Sequence, residues 1–180
     1  MRKMFYCVSL FSMSVLLSSV AVAKEARKYT VNSRDGASEC DQVGDNLVTN
    51  CGFETGTGVF DPWIQSGDTS FSDVNSNGVH TGGLAAEMGP IGDLGYLTQT
   101  LPTTGGQFYT LSFWVQNDSS PNEFLVSWDG GVLFDGALDD FLPYVQVVYE
   151  GLQASVDGTD LQFGFRNDPS YINLDDVVVH

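Results

Sequence analysis

Basic side chains are scarce in this sequence, and none occurs between Arg34 and Arg166. The 180 residues carry 7 Lys and Arg against 23 Asp and Glu, which gives a formal net charge of −16. Binding to nucleic acid requires cations that neutralise phosphates, so the sequence excludes nucleic acid as a partner. Anionic membranes and anionic polysaccharides are disfavoured for the same reason, unless a divalent metal bridges the charges. Neutral glycans and cations remain as ligands, and solubility alone is the competing explanation of the acidity.

Long apolar runs are also absent, except for one at the start of the chain. Residues 1–3 carry two cations, residues 4–20 are largely apolar, and residues 21–23 form an Ala-x-Ala cleavage site. This pattern predicts a secretory signal peptide over residues 1–23. A retained membrane anchor is the weaker alternative, because the run contains serines and no stop-transfer pattern follows it. We therefore expect cleavage near Ala23, secretion to the periplasm, the cell surface or the medium, and no integral membrane anchor.

Sustained helical periodicity is missing as well. No apolar stripe at i, i+3, i+4 and i+7 lasts beyond about one turn. A polar arm over residues 24–45 precedes short apolar alternations, which are separated by Gly, Asn, Asp and Pro. The alternations typical of strands cover residues 108–116, 123–128, 132–134, 143–150, 161–166 and 171–179. They predict one all-β domain over residues 46–180, with a two-sheet sandwich as the first choice and a closed barrel as the second.

Cysteine is rare, with three in the whole chain. Cys7 leaves with the predicted signal peptide, so Cys40 and Cys51 form an even pair in an oxidising compartment. We expect a Cys40–Cys51 disulfide that ties the arm to the first strand of the domain. Two free thiols or a metal-binding pair are the alternatives. Neither Cys belongs to a C-x-x-C motif, and both His lie far away in sequence.

Catalytic residues have little support. The two histidines are His80, in a Gly-rich segment, and His180. No G-x-S-x-G motif accompanies His80, so a structural role is favoured over a catalytic triad. With 23 acids, some pair at a separation suited to glycoside hydrolysis arises by chance, and such a pair carries no information. We expect a protein that is not an enzyme, and zinc is disfavoured because its ligands are few.

Several short segments occur in an order and spacing that match a known family. They are NLVTNCGFE at residues 46–54, Trp63, VHTGGLAA at 79–86, YTLSFW at 109–114, LQFGFRND at 161–168 and LDDV at 174–177. Together these resemble the carbohydrate-binding modules of families 4 and 9, the CenC-like group of galactose-binding-like jelly rolls, also found alone in secreted bacterial proteins. The resemblance covers about residues 46–179 and implies a jelly-roll β-sandwich with low helix content. Cys51 stands where the family usually has Gly, which fits an added disulfide.

The resemblance implies a structural Ca²⁺ ion. Its ligands would be Glu54, Asp175 or Asp176, and backbone carbonyls near residues 79–82. Ca²⁺ takes several hard oxygen ligands, and an ion would relieve repulsion between acids of the first and last strands where no Lys or Arg is near. The alternative is that these carboxylates point to solvent at strand ends.

A sugar site is predicted from the polar faces of two strands. One strand offers Trp114 and Gln116, and a later one offers Gln162 and Arg166. If these strands are neighbours in one sheet, an exposed Trp ring can stack on the apolar face of a sugar, while amide and guanidinium donors fix its hydroxyls. The alternative is that Trp114 packs under a loop and Arg166 pairs with Asp168 or another nearby acid.

These observations favour a secreted, non-catalytic carbohydrate-binding module. Its partner would be a glycan or another component of the cell surface or matrix. The competing hypothesis is an extracellular structural or adhesive protein that uses the same fold for contacts with other proteins. An exposed aromatic cleft would favour the first, and a packed Trp114 with a broad apolar patch elsewhere would favour the second.

Overall fold

The computed structural model describes residues 27–29 and 38–180 of the chain. The predicted signal peptide and half of the predicted arm lie outside these residues. The described chain forms eleven β-strands and one short 3-10 helix, Glu39–Gln42. The strands are β1 (Arg27–Tyr29), β2 (Ile64–Gly67), β3 (Ser72–Asn75), β4 (Ala85–Met88), β5 (Gly95–Leu101), β6 (Phe108–Asn117), β7 (Asn122–Trp128), β8 (Gly131–Gly136), β9 (Leu142–Gln153), β10 (Thr159–Asn167) and β11 (Ile172–Val179).

The strands form two antiparallel sheets packed face to face. The six-stranded sheet has the order β1-β9-β6-β11-β4-β3, and the five-stranded sheet has the order β2-β5-β10-β7-β8. The predicted all-β jelly-roll sandwich is confirmed, and the closed barrel is not formed. β11, the last strand, lies between β6 and β4 in the interior of its sheet. No helix in the described ranges is long and apolar enough to span a membrane.

The core lies between the sheets and is filled by alternate residues of each strand. In β10, Phe163 and Phe165 are fully buried, whereas Gln162 and Arg166 on the opposite face are partly exposed. The Phe163 ring meets Phe113 of β6 edge to face, with centroids 5.0 Å apart. Burial of each such ring stabilises the fold by about 1.5–3 kcal/mol. Since β6 and β10 meet through their apolar sides, their polar sides point to opposite surfaces of the molecule.

The two ends of the domain are joined to each other. The Leu47 N–H donates to the Val179 carbonyl over 2.8 Å, and the Val177 N–H donates to the Cys51 carbonyl over 2.9 Å. The predicted Cys40–Cys51 disulfide is confirmed, and both cysteines are buried. It closes a loop with a sequence separation of 11, which contributes about 2–3 kcal/mol by restricting the unfolded chain.

Strands β1 to β5 go beyond those predicted from the sequence. β1 lies within the predicted arm and pairs with β9, with Lys28 opposite Val147. β2, β3 and β4 have four residues each, too few to show a clear alternation. β5 is different, because Tyr96, Thr98 and Thr100 alternate with buried Leu97, Gln99 and Leu101. Its partly exposed Tyr96 faces away from the core.

Candidate functional site

Trp114, the predicted sugar platform, is buried. It lies on the outer side of β6, and only 2% of its surface is exposed. The His80 imidazole is stacked on the indole, with ring centroids 3.9 Å apart and an interplanar angle of 18°. The Tyr144 ring packs against His80 in turn, at a centroid distance of 5.1 Å. The prediction of an exposed Trp114 is therefore wrong, and the alternative, a Trp packed under a loop, is correct.

Gln116 does not join Gln162 and Arg166. Gln116 belongs to β6 of the six-stranded sheet, and the other two belong to β10 of the five-stranded sheet. Because these strands meet through their apolar sides, Gln116 lies on the opposite surface of the sandwich. Strand alternation separates inner from outer residues but does not say which strands become neighbours. The predicted cleft of Trp114, Gln116, Gln162 and Arg166 is therefore not formed.

Residues 80–84 run from His80 to the start of β4, and we call this segment the strap. Three carboxylates hold it in place. Glu54 holds one end. Its Oε1 accepts hydrogen bonds from the N–H groups of Gly83 over 2.8 Å and Leu84 over 3.0 Å. Gly82 has a φ of +74°, and a Cβ atom there would lie 2.1 Å from Glu54 Oε1. Only glycine allows the strap to approach the carboxylate this closely.

Asp175 of β11 holds the other end of the strap through the backbone. Its Oδ2 accepts the N–H groups of His80 over 2.9 Å and of Thr81 over 3.2 Å. Its Oδ1 accepts the N–H of Asp176 over 2.8 Å. The side chain is completely buried. Asp175 therefore fixes the backbone at the point where His80 turns toward Trp114.

Asp176 accepts hydrogen bonds from side chains, whereas Asp175 accepts them from backbone N–H groups. Its Oδ2 lies 2.8 Å from His80 Nδ1 and accepts the Thr81 hydroxyl over 2.6 Å. Its Oδ1 accepts the Ser38 hydroxyl over 2.6 Å. His80 Nε2 is buried and has no hydrogen-bond partner among the described residues. With one ring nitrogen on a carboxylate and its face on Trp114, His80 is placed as a packing residue, the role favoured from the sequence.

The two adjacent carboxyls have pKa values displaced in opposite directions. Burial, followed by the charge of Asp176, raises the pKa of Asp175 to about 8. Burial also acts to raise the pKa of Asp176, but hydrogen bonds from His80, Ser38 and Thr81 outweigh it and lower that pKa. Near neutral pH the pair therefore carries less charge than two ordinary aspartates.

The predicted Ca²⁺ ligands gather at the strap, but they meet hydrogen-bond donors there. Ca²⁺ takes about six to eight oxygen ligands, whereas Glu54, Asp175 and Asp176 face N–H and O–H groups. Within the described ranges, the group of three His, Cys, Asp or Glu residues whose ligand atoms all lie within 4.8 Å of one another is Cys40, Asp41 and Cys51, and the two sulfurs are already in the disulfide. The three carboxylates are thus already used in hydrogen bonds. Ca²⁺ binding stays a prediction.

The outer side of the five-stranded sheet carries an aromatic ring that the sequence predictions missed. Tyr96 of β5 lies opposite Gly164 of β10 and is partly exposed. A Cβ atom at Gly164 would lie 3.1 Å from Tyr96 Cε1, and one at Gly67 of β2 would lie 2.9 Å from Tyr96 Cδ2. Each strand that flanks β5 thus has glycine where a side chain would collide with the ring. The two glycines form a seat for Tyr96 on the surface of the sheet.

Polar side chains lie on the same face of the sheet as the seated ring. Gln162 lies opposite Thr98 in the neighbouring strand, and its Nε2 donates to the Thr98 hydroxyl over 2.9 Å. Arg166, two residues beyond Gly164, donates through Nε to Asp168 over 3.0 Å and through a terminal nitrogen to Glu123 over 3.3 Å. The Arg166 side chain keeps 28% exposure. The pairing of Arg166 with Asp168, the alternative considered from the sequence, is confirmed.

Two of the four predicted sugar-site residues therefore share a surface with a different aromatic residue. Gln162 and Arg166 stand beside Tyr96, whereas Trp114 and Gln116 lie on the other sheet. The signal that could have identified Tyr96 is the alternation of β5, in which every second residue is buried. The glycine seat has no signal in a single sequence, because it depends on the pairing of three strands.

Comparison with protein-family models gives no match, and no curated protein is similar in sequence. Solved structures do match. A family 61 carbohydrate-binding module, TmCBM61, in complex with β-1,4-galactotriose has a TM-score of 0.61 and 18% identity, covering 75% of this chain and 97% of that chain. The CBM22-1 xylan-binding domain of Paenibacillus barcinonensis Xyn10C has a TM-score of 0.54 and 14% identity, covering 76% and 94%.

An adhesin has the same fold. The cleaved adhesin domain K3 of Lys-gingipain from Porphyromonas gingivalis has a TM-score of 0.52 and 17% identity, covering 71% of this chain and 94% of that chain. At these identities the likeness shows a jelly-roll fold that carbohydrate-binding modules share. It does not single out families 4 and 9, so that finer resemblance stays a prediction.

Proposed function

We propose that this protein is an extracellular, non-catalytic module that binds a glycan on the outer side of its five-stranded sheet. The observation that carries the proposal is the Tyr96 ring seated between Gly67 and Gly164. The carbohydrate-binding modules among the structural neighbours support binding of a glycan in general terms. The Cys40–Cys51 disulfide is consistent with an extracellular location.

The chemistry of this surface suits a sugar ring. A tyrosine ring offers an apolar face to the C–H face of a pyranose, and nearby donors and acceptors bind its hydroxyls. Gln162 is oriented by Thr98, and Arg166 is oriented by two carboxylates. Side chains that are already fixed lose little conformational entropy when a ligand binds. The site is therefore preorganised around Tyr96.

The charges on this surface select among glycans. Arg166 contacts both Glu123 and Asp168, so its positive charge is more than compensated. Asp135 and Asp160 are exposed on the same sheet. A carboxylated or sulfated glycan would be repelled, so the ligand class is a neutral glycan.

The test is a screen of the purified protein against neutral and anionic glycans, followed by titration of each positive. We expect saturable binding to a neutral glycan and at least about tenfold weaker binding by Tyr96→Ala. Phe108→Ala is the matched control, since Phe108 is an aromatic residue on the other sheet with 66% of its surface exposed. Thermal melting of both variants shows that they are folded.

Two results would contradict the proposal. One is the absence of saturable binding to any glycan by the folded protein. The other is binding that Phe108→Ala weakens as much as Tyr96→Ala does, which would place the site elsewhere.

The competing function is that of an adhesive or structural protein that contacts other proteins. Exposed apolar residues favour it, among them Phe71 and Phe141, which are 63% and 80% exposed. If the glycan screen is negative, this function becomes the leading one.

A further inference from the structure

A cavity of about 270 Å³ opens between the two sheets beside β8, away from the Tyr96 surface. Its wall is apolar and comes from both sheets. The largest side chains that line it are Phe113, Phe124, Phe134, Leu138, Leu142 and Tyr149. Protein interiors seldom leave a space this large unfilled. The volume accommodates one large aromatic or aliphatic side chain.

The strand next to the cavity has an unused pairing edge. β8 closes one side of the five-stranded sheet, and in the described part of the chain it pairs with β7 alone. Edge strands usually avoid further pairing through charges, Pro or bulges. β8 contains no Lys or Pro, and its protection is limited to Asp135 and a bulge at Leu133. The register shifts by one residue at Leu133, so the regular part of the edge is residues 134–136. This part adjoins the cavity, which Phe134 lines.

Acidic residues adjoin, in sequence, the cavity-lining residues Phe134 and Leu138. Asp135 in β8 and Asp139 and Asp140 in the following turn are exposed. No Lys or Arg occurs between Arg34 and Arg166, so none belongs to this segment or to the strands β6, β7 and β9, which line the cavity. A second copy of this domain would present the same acids and be repelled, whereas a basic segment would be attracted.

We infer that β8 and this cavity form a docking site for an extended, basic segment of a partner protein. The segment adds to β8 as a strand and inserts one large apolar side chain into the cavity. Main-chain hydrogen bonds to an edge supply affinity in this mode, and a pocket for one side chain supplies specificity. The molecule already shows strand addition of this size, since β1 joins the edge of β9 with three residues.

The test uses synthetic peptides as probes. The parent is a labelled nine-residue peptide, Lys-Thr-Lys-Thr-Phe-Thr-Lys-Thr-Lys, titrated with the purified protein by fluorescence anisotropy. Replacing its Phe by Ala should weaken binding by about 10- to 100-fold, because the anchor is lost. Methylating alternate backbone nitrogens should abolish binding when the methyl groups lie on the edge that faces β8. The same change on the opposite edge should leave binding intact.

Variants of the protein locate the site. Ala137 is exposed and lines the cavity, so Ala137→Trp should block the anchor and weaken binding by at least about tenfold. Val156→Trp adds the same side chain at another exposed position, away from the cavity lining, and should have no effect. Tyr96→Ala should also leave peptide binding unchanged, which separates this site from the proposed glycan site.

Three results would overturn the inference. The first is the absence of binding by the parent peptide. The second is binding that stays unchanged when the Phe is replaced, when either edge of the peptide is methylated and when the protein carries Ala137→Trp. Such binding would reflect charge alone. The third is self-association of the protein that Ala137→Trp abolishes without any peptide binding, which would assign this surface to a second copy.

Discussion

Asp175 is a buried carboxyl whose ionisation should destabilise the folded protein as pH rises. Burial and the neighbouring charge of Asp176 raise its pKa from 3.8 to about 8. Between these values the native state holds a proton that the unfolded chain has released. Stability then falls as pH rises, because the native state binds more protons. The protonated Asp175 carboxyl makes its full contribution to the free energy of unfolding below about pH 4, and this contribution has been lost by about pH 8.

Asp175→Asn removes this ionisation. A shift of about 4 units at about 1.4 kcal/mol per unit sets a ceiling of about 6 kcal/mol on the pH-dependent loss. The amide keeps one oxygen for the N–H groups of His80 and Thr81, but it turns an NH₂ toward the N–H of Asp176. That mismatch costs about 1–3 kcal/mol at every pH. The variant should therefore be less stable than the wild type at about pH 4 and more stable at about pH 9.

Urea unfolding across this pH range measures the difference in free energy of unfolding between the two proteins. The difference isolates Asp175, since the other acids titrate in both proteins. Asp135→Asn controls for the loss of one negative charge at an exposed position. Parallel stability curves for the wild type and Asp175→Asn from about pH 5 to about pH 9 would refute the reasoning.

Three further predictions concern the disulfide, the buried tryptophan and calcium. Replacing both Cys40 and Cys51 by Ser should lower the free energy of unfolding by about 2–3 kcal/mol in urea; an unchanged value would mean that the disulfide does not restrict the unfolded chain. Trp114→Ala should cost about 3–5 kcal/mol of stability, yet the folded variant should bind glycan as the wild type does, and weaker binding would place Trp114 in the site. Melting in Ca²⁺ and in EDTA tests the predicted ion: stabilisation that Glu54→Gln removes would confirm it, and equal melting temperatures would contradict it.

Much of the fold could be predicted because strand alternation is a local property. The apolar residues of β6 and β10 are buried as their spacing predicts, and the predicted strands 123–128 and 132–134 are found as the neighbours β7 and β8. The Cys40–Cys51 pairing followed from the small number of cysteines. The short strands β2, β3 and β4 escaped prediction because four residues cannot establish a period.

The candidate site was harder to predict because it depends on contacts between distant parts of the chain. Alternation correctly placed Trp114 on the outer side of β6, yet His80 covers it there, held by Asp175 and Asp176. Nothing local to the β6 sequence indicates this cover. Tyr96 was overlooked for the opposite reason, since the glycines that seat it lie on two other strands.

The central position of β11 has a consequence for how the chain reaches its native state. The last of the described strands is inserted between β6 and β4, and its Asp175 and Asp176 fasten the strap. Neither the six-stranded sheet nor the cover over Trp114 can be completed before synthesis has passed Val179. A nascent chain lacking these residues exposes two unpaired strand edges, and contacts this distant in sequence form slowly. Completion of the six-stranded sheet is thereby postponed until β11 has been made.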